Sequence, residues 1–483
     1  MGLKQQTIKG VKWNAVGTIT TTVLHMLKLF ILARIISKAD FGIVAIATMF
    51  LGFTEIFANM GLATGLIHKQ DITRQQYSSV FWLNLMLSGV LYGLLCAVTP
   101  LVADYYHIAE LRKVIPLMGL TLVINAFGKM FYTFKTKELD FRFIAIVEIV
   151  AVLLGVLLTV VLALQGFGVY SLVYGSLLQA VLSHGVYALF GIFHYRILFH
   201  FRISEIVDIA KIGGYQLGMQ VVDYVASKLD VFLVGRFFSQ EVLGVYNLAK
   251  ELLYKAIQLV TPIVSNVAAP AFARFQEDKP LMRQSYSKVL SLLSFVNFPV
   301  FAAFFFFAEP ITLLLYGENM LDMVWFVRVL SLWGLFQSVG SPASILMVSL
   351  GRTDLGLVWT LVRVSVTLVA TMVACRISIE AMAWAQVIIA FIFLFAYWRM
   401  MVYAMIRLPL KDYLRSVAYP LLAIAVAAVV VIPVLWLAPS LDGGMRLVLL
   451  WGDLVLAALV YVAFYWFTRR GYLMDFCKMI FRR

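Results

Sequence analysis

"KWNAVGTITTTVLHMLKLFILARIIS", residues 12–37, is long and apolar enough to cross a membrane. Yet Asn14, Thr18, Thr21, His25 and Lys28 recur in it every three or four residues. At about 100° per residue these positions fall within an arc of roughly 80° on one helix face. A second stretch, "YQLGMQVVDYVASKLDVFLVGRFFS" (215–239), answers to the first at an offset of 202 residues. Without a gap, Asn14 aligns with Gln216, Thr18 with Gln220, Thr21 with Asp223, His25 with Ser227 and Lys28 with Asp230. The match runs on as "ARIISKADFGIV" (33–44) over "GRFFSQEVLGVY" (235–246), pairing Arg34 with Arg236, Ser37 with Ser239 and Gly42 with Gly244. An offset that spans six helices returns the chain to the same side of the membrane. The two halves are therefore parallel repeats related by an axis along the membrane normal.

The composition supports a chain built for the bilayer. Of 483 residues 63% are hydrophobic and 13% charged, with a mean hydropathy of +0.93. Soluble chains average about 45–50% apolar and roughly 25% charged. Cys96, Cys375 and Cys477 are far apart and share no metal-like spacing, so they read as membrane thiols without a disulfide framework. The basic start "MGLKQQTIKGVKW" is not followed by a short apolar core and a small-residue cleavage site, so no removed signal peptide is expected.

Fourteen apolar segments can each cross a hydrocarbon core: 12–36, 41–67, 78–103, 114–134, 143–165, 168–193, 207–236, 242–272, 285–308, 323–349, 355–375, 380–403, 416–437 and 447–468. Turn and charge signals such as "SKAD", "TKELDFR", "QGFG", "FQEDKP" and "GRTD" separate them. The side that carries the N-terminus holds 25 lysines and arginines, the opposite side 7 and the spans 7. That bias places both termini in the cytoplasm. It also explains the net charge of +14 without a nucleic-acid partner. The expected fold is an all-α polytopic membrane protein: a six-helix lobe over 1–200, a second over 201–410, and two additional helices with a basic tail over 411–483.

Ionisable groups inside a bilayer are expensive and usually face protein or water. The set comprises Lys28, Glu55, Lys129, Glu148, Asp223, Lys228, Asp230, Lys250, Glu251, Lys255, Arg328 and Arg363. Two readings stay open. In one, the cations line a wet cavity and attract an anionic substrate while a carboxylate carries a coupling ion. In the other, the charges pair to hold the halves together. Lys28 and Asp230 occupy equivalent positions and would meet near the axis. Glu251 and Lys255 stand i,i+4 on one helix. Lys129, Glu148 and Lys250 lie close to expected span ends, where they would snorkel to an interface. There is no G-x-x-x-x-G-K-[ST] phosphate loop and no H-E-x-x-H motif. No loop on the outer side is long enough for a catalytic domain.

The run "LARIISKADFGIVAIATMFLGFTEIFANMGLATGLIHKQDITRQQYSSVFWLNL" (32–85) resembles the polysaccharide transporters of the MOP superfamily, in particular exporters of the colanic-acid and teichuronic-acid type. "LGVYNLAKEL" (243–252), "PAFARFQED" (270–278), "LLLYGENM" (313–320) and "SLGRTDL" (349–355) extend the likeness over nearly the whole chain. The resemblance implies two six-helix lobes plus two C-terminal helices in a bacterial inner membrane. It implies flipping of undecaprenyl-pyrophosphate-linked oligosaccharides by ion-coupled alternating access. It carries no short catalytic motif onto particular residues.

On this reading the substrate-cavity candidates are Asn14, His25, Lys28, Lys228, Lys255, Arg328 and Arg363, and the ion-coupling or gating candidates are Glu55, Asp223, Asp230 and Glu251. No resident cofactor or metal is expected beyond a coupling proton or sodium ion. The expected partners are a lipid-linked oligosaccharide and membrane lipid, with the chain a monomer and association with polysaccharide assembly proteins left open. The rivals are a lipid II flippase or a drug/cation antiporter of the same superfamily, and a membrane glycan polymerase or ligase.

Overall fold

Several helix starts in this chain are set by side chains that satisfy free N–H groups of the first turn. Thr73 caps α3 (Arg74–Tyr106) in a reciprocal capping box with Gln76. Asp140 caps α5 (Phe141–Leu164) by accepting from Phe143 N, and Asp278 caps α9 (Lys279–Phe306) by accepting from Leu281 N. Ser378 does the same for α14 (Ile379–Tyr397) through Ala381 N. These caps lie in or beside the polar breaks between the apolar segments.

The computed structural model describes residues 3–59, 72–276, 278–437 and 443–481. Its other long helices are α1 (Leu3–Leu32), α2 (Lys38–Asn59), α4 (Leu111–Lys137), α6 (Val169–Tyr195), α7 (Val207–Phe237) and α8 (Gln240–Arg274). After α9 come α10 (Ala308–Tyr316), α11 (Met323–Ser338), α12 (Ser341–Ser349) and α13 (Thr353–Cys375). α14 continues through a π turn, Trp398–Val402, to Ile406; α15 (Leu410–Leu437) and α16 (Gly443–Phe481) end the chain. The described residues contain no strand. The protein is an all-α polytopic membrane protein, and among the described residues twelve stretches are long and apolar enough to span a bilayer.

Each of the fourteen expected segments coincides with helix, and most helices run several residues beyond the apolar window. The segments 207–236 and 242–272 are not among the twelve apolar stretches. They are α7 and α8, of 31 and 35 residues, both long enough to cross, and α7 carries Asp223, Lys228 and Asp230. Residues 60–67 of the second expected segment lie outside the described residues. The ninth and tenth segments break at Phe307 and at Val339–Gly340, where the chain starts new helices.

Contacts divide the chain into two compact units, Met1–Asn247 and Leu248–Arg483. In the first, α6 packs along α4 and α5, α3 along α4, α1 along α5, and α2 against α4 and α7. Its core includes Phe81, Phe131, Phe134 and Tyr187. In the second, α15 pairs with α16 and with α9, and α11 pairs with α14. Phe295 of α9 packs there with Tyr461 and Tyr465 of α16. The first unit takes in α7 because that helix packs on α2. The lobe boundaries near residues 200 and 410 follow the repeat in the sequence and stand as a proposal.

Candidate functional site

The repeat motif has a physical basis at the starts of α2 and α8. Ser37 Oγ donates to Asp40 Oδ2 at 2.7 Å and accepts from Asp40 N at 3.2 Å. Its counterpart Ser239 Oγ accepts from Val242 N at 3.3 Å. Both serines therefore occupy N-cap positions. The two helix starts then cross at their glycines. A Cβ on Gly42 would lie 2.1 Å from the Gln240 carbonyl oxygen, and one on Gly244 would lie 2.1 Å from that of Lys38. The offset of the repeat maps Lys38 onto Gln240 and Gly42 onto Gly244. The contact is thus self-complementary, as an isologous interface is. Each obstacle is backbone, so no side-chain movement relieves it, and only glycine permits the approach.

Beyond the crossing, α7 lies on α2 and α3. Tyr224 Oη donates to Met49 O at 2.9 Å, and Tyr106 Oη donates to Phe232 O at 3.3 Å. The Arg236 guanidinium stands 5.0 Å over the Tyr105 ring. Asp230 is 3% exposed. Its Oδ2 accepts from the buried Tyr246 hydroxyl at 2.5 Å and its Oδ1 from Val231 N at 2.9 Å. The carboxylate therefore ties α7 to α8, whereas its neighbour Asp223, two turns earlier, is exposed. Lys228 is half-buried on the same helix.

On α1, Asn14 and Thr18 are exposed and Thr21, His25 and Lys28 half-buried. Val16, Ile19, Val23, Leu27 and Ile31 are each more than two-fifths exposed. At about 100° per residue the apolar set lies roughly opposite the polar stripe. The exposed apolar face of α1 thus suits lipid, and the exposed N-terminal part of the polar stripe suits water or a polar solute.

A polar cluster that the sequence reading missed joins α2, α4 and α6. Lys129 Nζ donates to Asn59 Oδ1. Glu55 of α2 and His184 of α6 both lie within electrostatic reach of that ammonium. The His184 Nδ1 atom is buried with no hydrogen-bond partner among the described residues. One turn beyond His184, Tyr187 Oη donates to Glu148 Oε1 at 3.0 Å. Lys129 and Glu148 lie about two turns inside α4 and α5. Snorkelling from a span end, the expectation for both, is thus replaced by partners within the helix bundle. The available signal was the co-occurrence of Asn59, Lys129, Glu148 and His184 in otherwise apolar helices.

The remaining candidates belong to the second unit. Glu251 and Lys255 are half-buried on α8, and no ion pair between them occurs among the described residues. Glu251 instead lies within electrostatic reach of Tyr316. Lys250 stands 5.8 Å from the Trp333 ring. Arg328 is exposed on α11, and Arg363 of α13 is half-buried with Tyr397 nearby. Asp453 of α16, absent from the sequence candidates, is 2% exposed. Among the described residues no group of three His, Cys, Asp or Glu side chains is set to hold a metal ion.

Residues 31–325 match the family described as "Polysaccharide biosynthesis protein". The chain is 27% identical over 355 residues to "Lipopolysaccharide biosynthesis protein WzxC" of Escherichia coli (strain K12), covering 74% of this chain and 72% of that protein. It is 26% identical over 436 residues to "Teichuronic acid biosynthesis protein TuaB" of Bacillus subtilis (strain 168), covering 89% of each. Among solved structures, it resembles an inward closed form of the lipid II flippase MurJ, with a TM-score of 0.74, 14% identity and coverage of 95% of this chain and 99% of that one. It also resembles an inward-facing MATE family transporter of the MOP superfamily, with a TM-score of 0.63, 16% identity and coverage of 80% and 98%. These likenesses are of fold. The chain belongs to the polysaccharide biosynthesis protein family and has the fold of the MOP-superfamily transporters.

Proposed function

We propose that this protein flips lipid-linked oligosaccharides across the bacterial inner membrane by alternating access, as a transporter without catalytic chemistry. The carrying observation is α1. It carries a polar stripe, exposed at Asn14 and Thr18 and half-buried from Thr21 to Lys28, with an exposed apolar surface on the opposite face. A helix of that kind lets a polar head group travel along one side while lipid remains on the other. The self-complementary crossing at Gly42 and Gly244 supports the reading, because a contact of repeat-equivalent backbone is a natural gate between two arrangements. The relatives support the substrate class: their names place them in lipopolysaccharide and teichuronic acid biosynthesis, and a further one is "Succinoglycan biosynthesis transport protein ExoT" of Rhizobium meliloti (strain 1021).

In this proposal the substrate is an undecaprenyl-pyrophosphate-linked oligosaccharide. Its pyrophosphate is drawn by Lys28, Lys228, Lys255, Arg328 and Arg363, with His25 and Asn14 facing the glycan. A proton or sodium ion coupled through Glu55, Asp223, Asp230 or Glu251 drives the cycle. Both termini lie in the cytoplasm, and the chain acts as a monomer. Charge-neutralising substitutions test the site: Lys28→Gln, Asp230→Asn and Arg363→Gln should each lower glycan export at unchanged protein level. Full export by all three variants would overturn the assignment.

A further inference from the structure

Away from the charges named so far, the second unit contains a cavity of about 430 Å³ walled by α9, the α14–α15 connection, α15 and Arg469 of α16. That volume lies within the roughly 300–1,000 Å³ of small-molecule sites. Among the described residues, four basic side chains line it, Arg283, Lys288, Arg415 and Arg469, against one carboxylate, Asp412. Like charges gathered in one concavity repel, so their convergence is favourable where an anion sits among them.

The cations are placed by several distinct devices. Asp278 caps α9, whose first three turns carry Arg283 and Lys288 about one and a half turns apart. Arg283 Nε donates to Ile406 O at 2.7 Å, which fixes the guanidinium against the α14–α15 connection. Helical geometry breaks at Arg469 (φ −145°, ψ 53°), and its guanidinium stacks 3.8 Å over the Tyr419 ring. Ser291 Oγ donates to Ser416 O at 3.1 Å and clamps α9 to α15. One turn further along α9, Phe295 packs with Tyr461 and Tyr465, so polar walls give way to an aromatic cluster.

Position decides what kind of anion fits. Arg469 ends the apolar stretch Val448–Arg469, and Arg415 lies near the start of the stretch Leu410–Trp436. The cavity therefore sits at the level where hydrocarbon meets head groups. Guanidinium groups match phosphate oxygens in a bidentate fork, and basic pockets between spanning helices suit lipid head groups. We infer that this cavity binds the phosphoryl head group of an anionic membrane lipid. The inference does not rest on the transport reading.

The test uses the full chain in phosphatidylcholine nanodiscs, with bound lipid read by native mass spectrometry. Phosphatidylglycerol, undecaprenyl pyrophosphate and inorganic pyrophosphate are added in separate arms. The wild-type protein should retain one of the two lipids, and Arg283→Gln/Arg415→Gln should lower retention at least tenfold. Lys279→Gln/Lys411→Gln, at exposed positions that do not line the cavity, should leave it unchanged. Preference for undecaprenyl pyrophosphate identifies a carrier lipid as the source; equal or better retention of phosphatidylglycerol identifies a bulk phospholipid. If the double variant does not fold, Arg415→Gln with an unaltered melting temperature serves in its place. Retention of neither lipid, equal loss in the control variant, or binding of inorganic pyrophosphate alone would overturn the inference.

Discussion

Asp453 and Asp230 show what separates two buried acids in one chain. Asp230 is held by the Tyr246 hydroxyl and by the Val231 N–H. Both carboxylate oxygens of Asp453 are buried without a hydrogen-bond partner among the described residues. A buried polar group left unsatisfied costs about 1–3 kcal/mol. Asp453→Leu should therefore raise the melting temperature of the purified protein, as read by a thermal-shift assay. A fall of several degrees would mean that the carboxyl group is satisfied after all. The same lesson applies to Lys129, whose charge is plain in the sequence while its partners are not. Asn59 and His184 lie 70 residues before it and 55 after it, and only the packing of α2, α4 and α6 brings them together.

At the scale of the helix, the Arg–Ser–Gly repeat was readable because backbone geometry constrains it twice over. A cap needs a short hydroxyl side chain, and a close crossing needs no Cβ. That the crossing joins Gly42 to Gln240 and Gly244 to Lys38 was not readable, because an alignment shows equivalence without contact. The helix breaks at Phe307 and Val339–Gly340 also stayed hidden, since hydropathy runs through them unchanged. Gly42→Val or Gly244→Val must push the two helix starts apart. Overpacking of this kind costs about 1–3 kcal/mol, and each 1.4 kcal/mol is roughly tenfold in an equilibrium. A reporter cysteine at the buried Val245, in a background freed of Cys96, Cys375 and Cys477, should then react about tenfold faster with a membrane-impermeant thiol reagent. Unchanged labelling in a folded variant would show that the crossing is not a closed contact.

For the whole molecule, the all-α polytopic fold and most of its polar breaks followed from hydropathy because each span must satisfy its backbone within itself. Charge bias sets an expectation for the orientation, with both termini proposed to lie in the cytoplasm. The assignment of α7 shows where this reasoning stops. Its sequence belongs with the second repeat, yet its contacts place it in the unit Met1–Asn247. Repeat ancestry and packing are separate properties, and only the second is visible in coordinates. The site is less legible than the fold for a related reason: transport needs no invariant catalytic triad, only charges set along a path. The central claim is translocation, and reconstitution tests it directly. Purified protein is placed in liposomes that carry a lipid-linked oligosaccharide in the leaflet matching the cytoplasmic side. Arrival of the glycan in the opposite leaflet is measured with a membrane-impermeant glycosidase. The account predicts arrival that depends on the protein and is accelerated by an ion gradient. Glycans that grow longer while remaining in their original leaflet would contradict it and make the protein a polymerase or ligase.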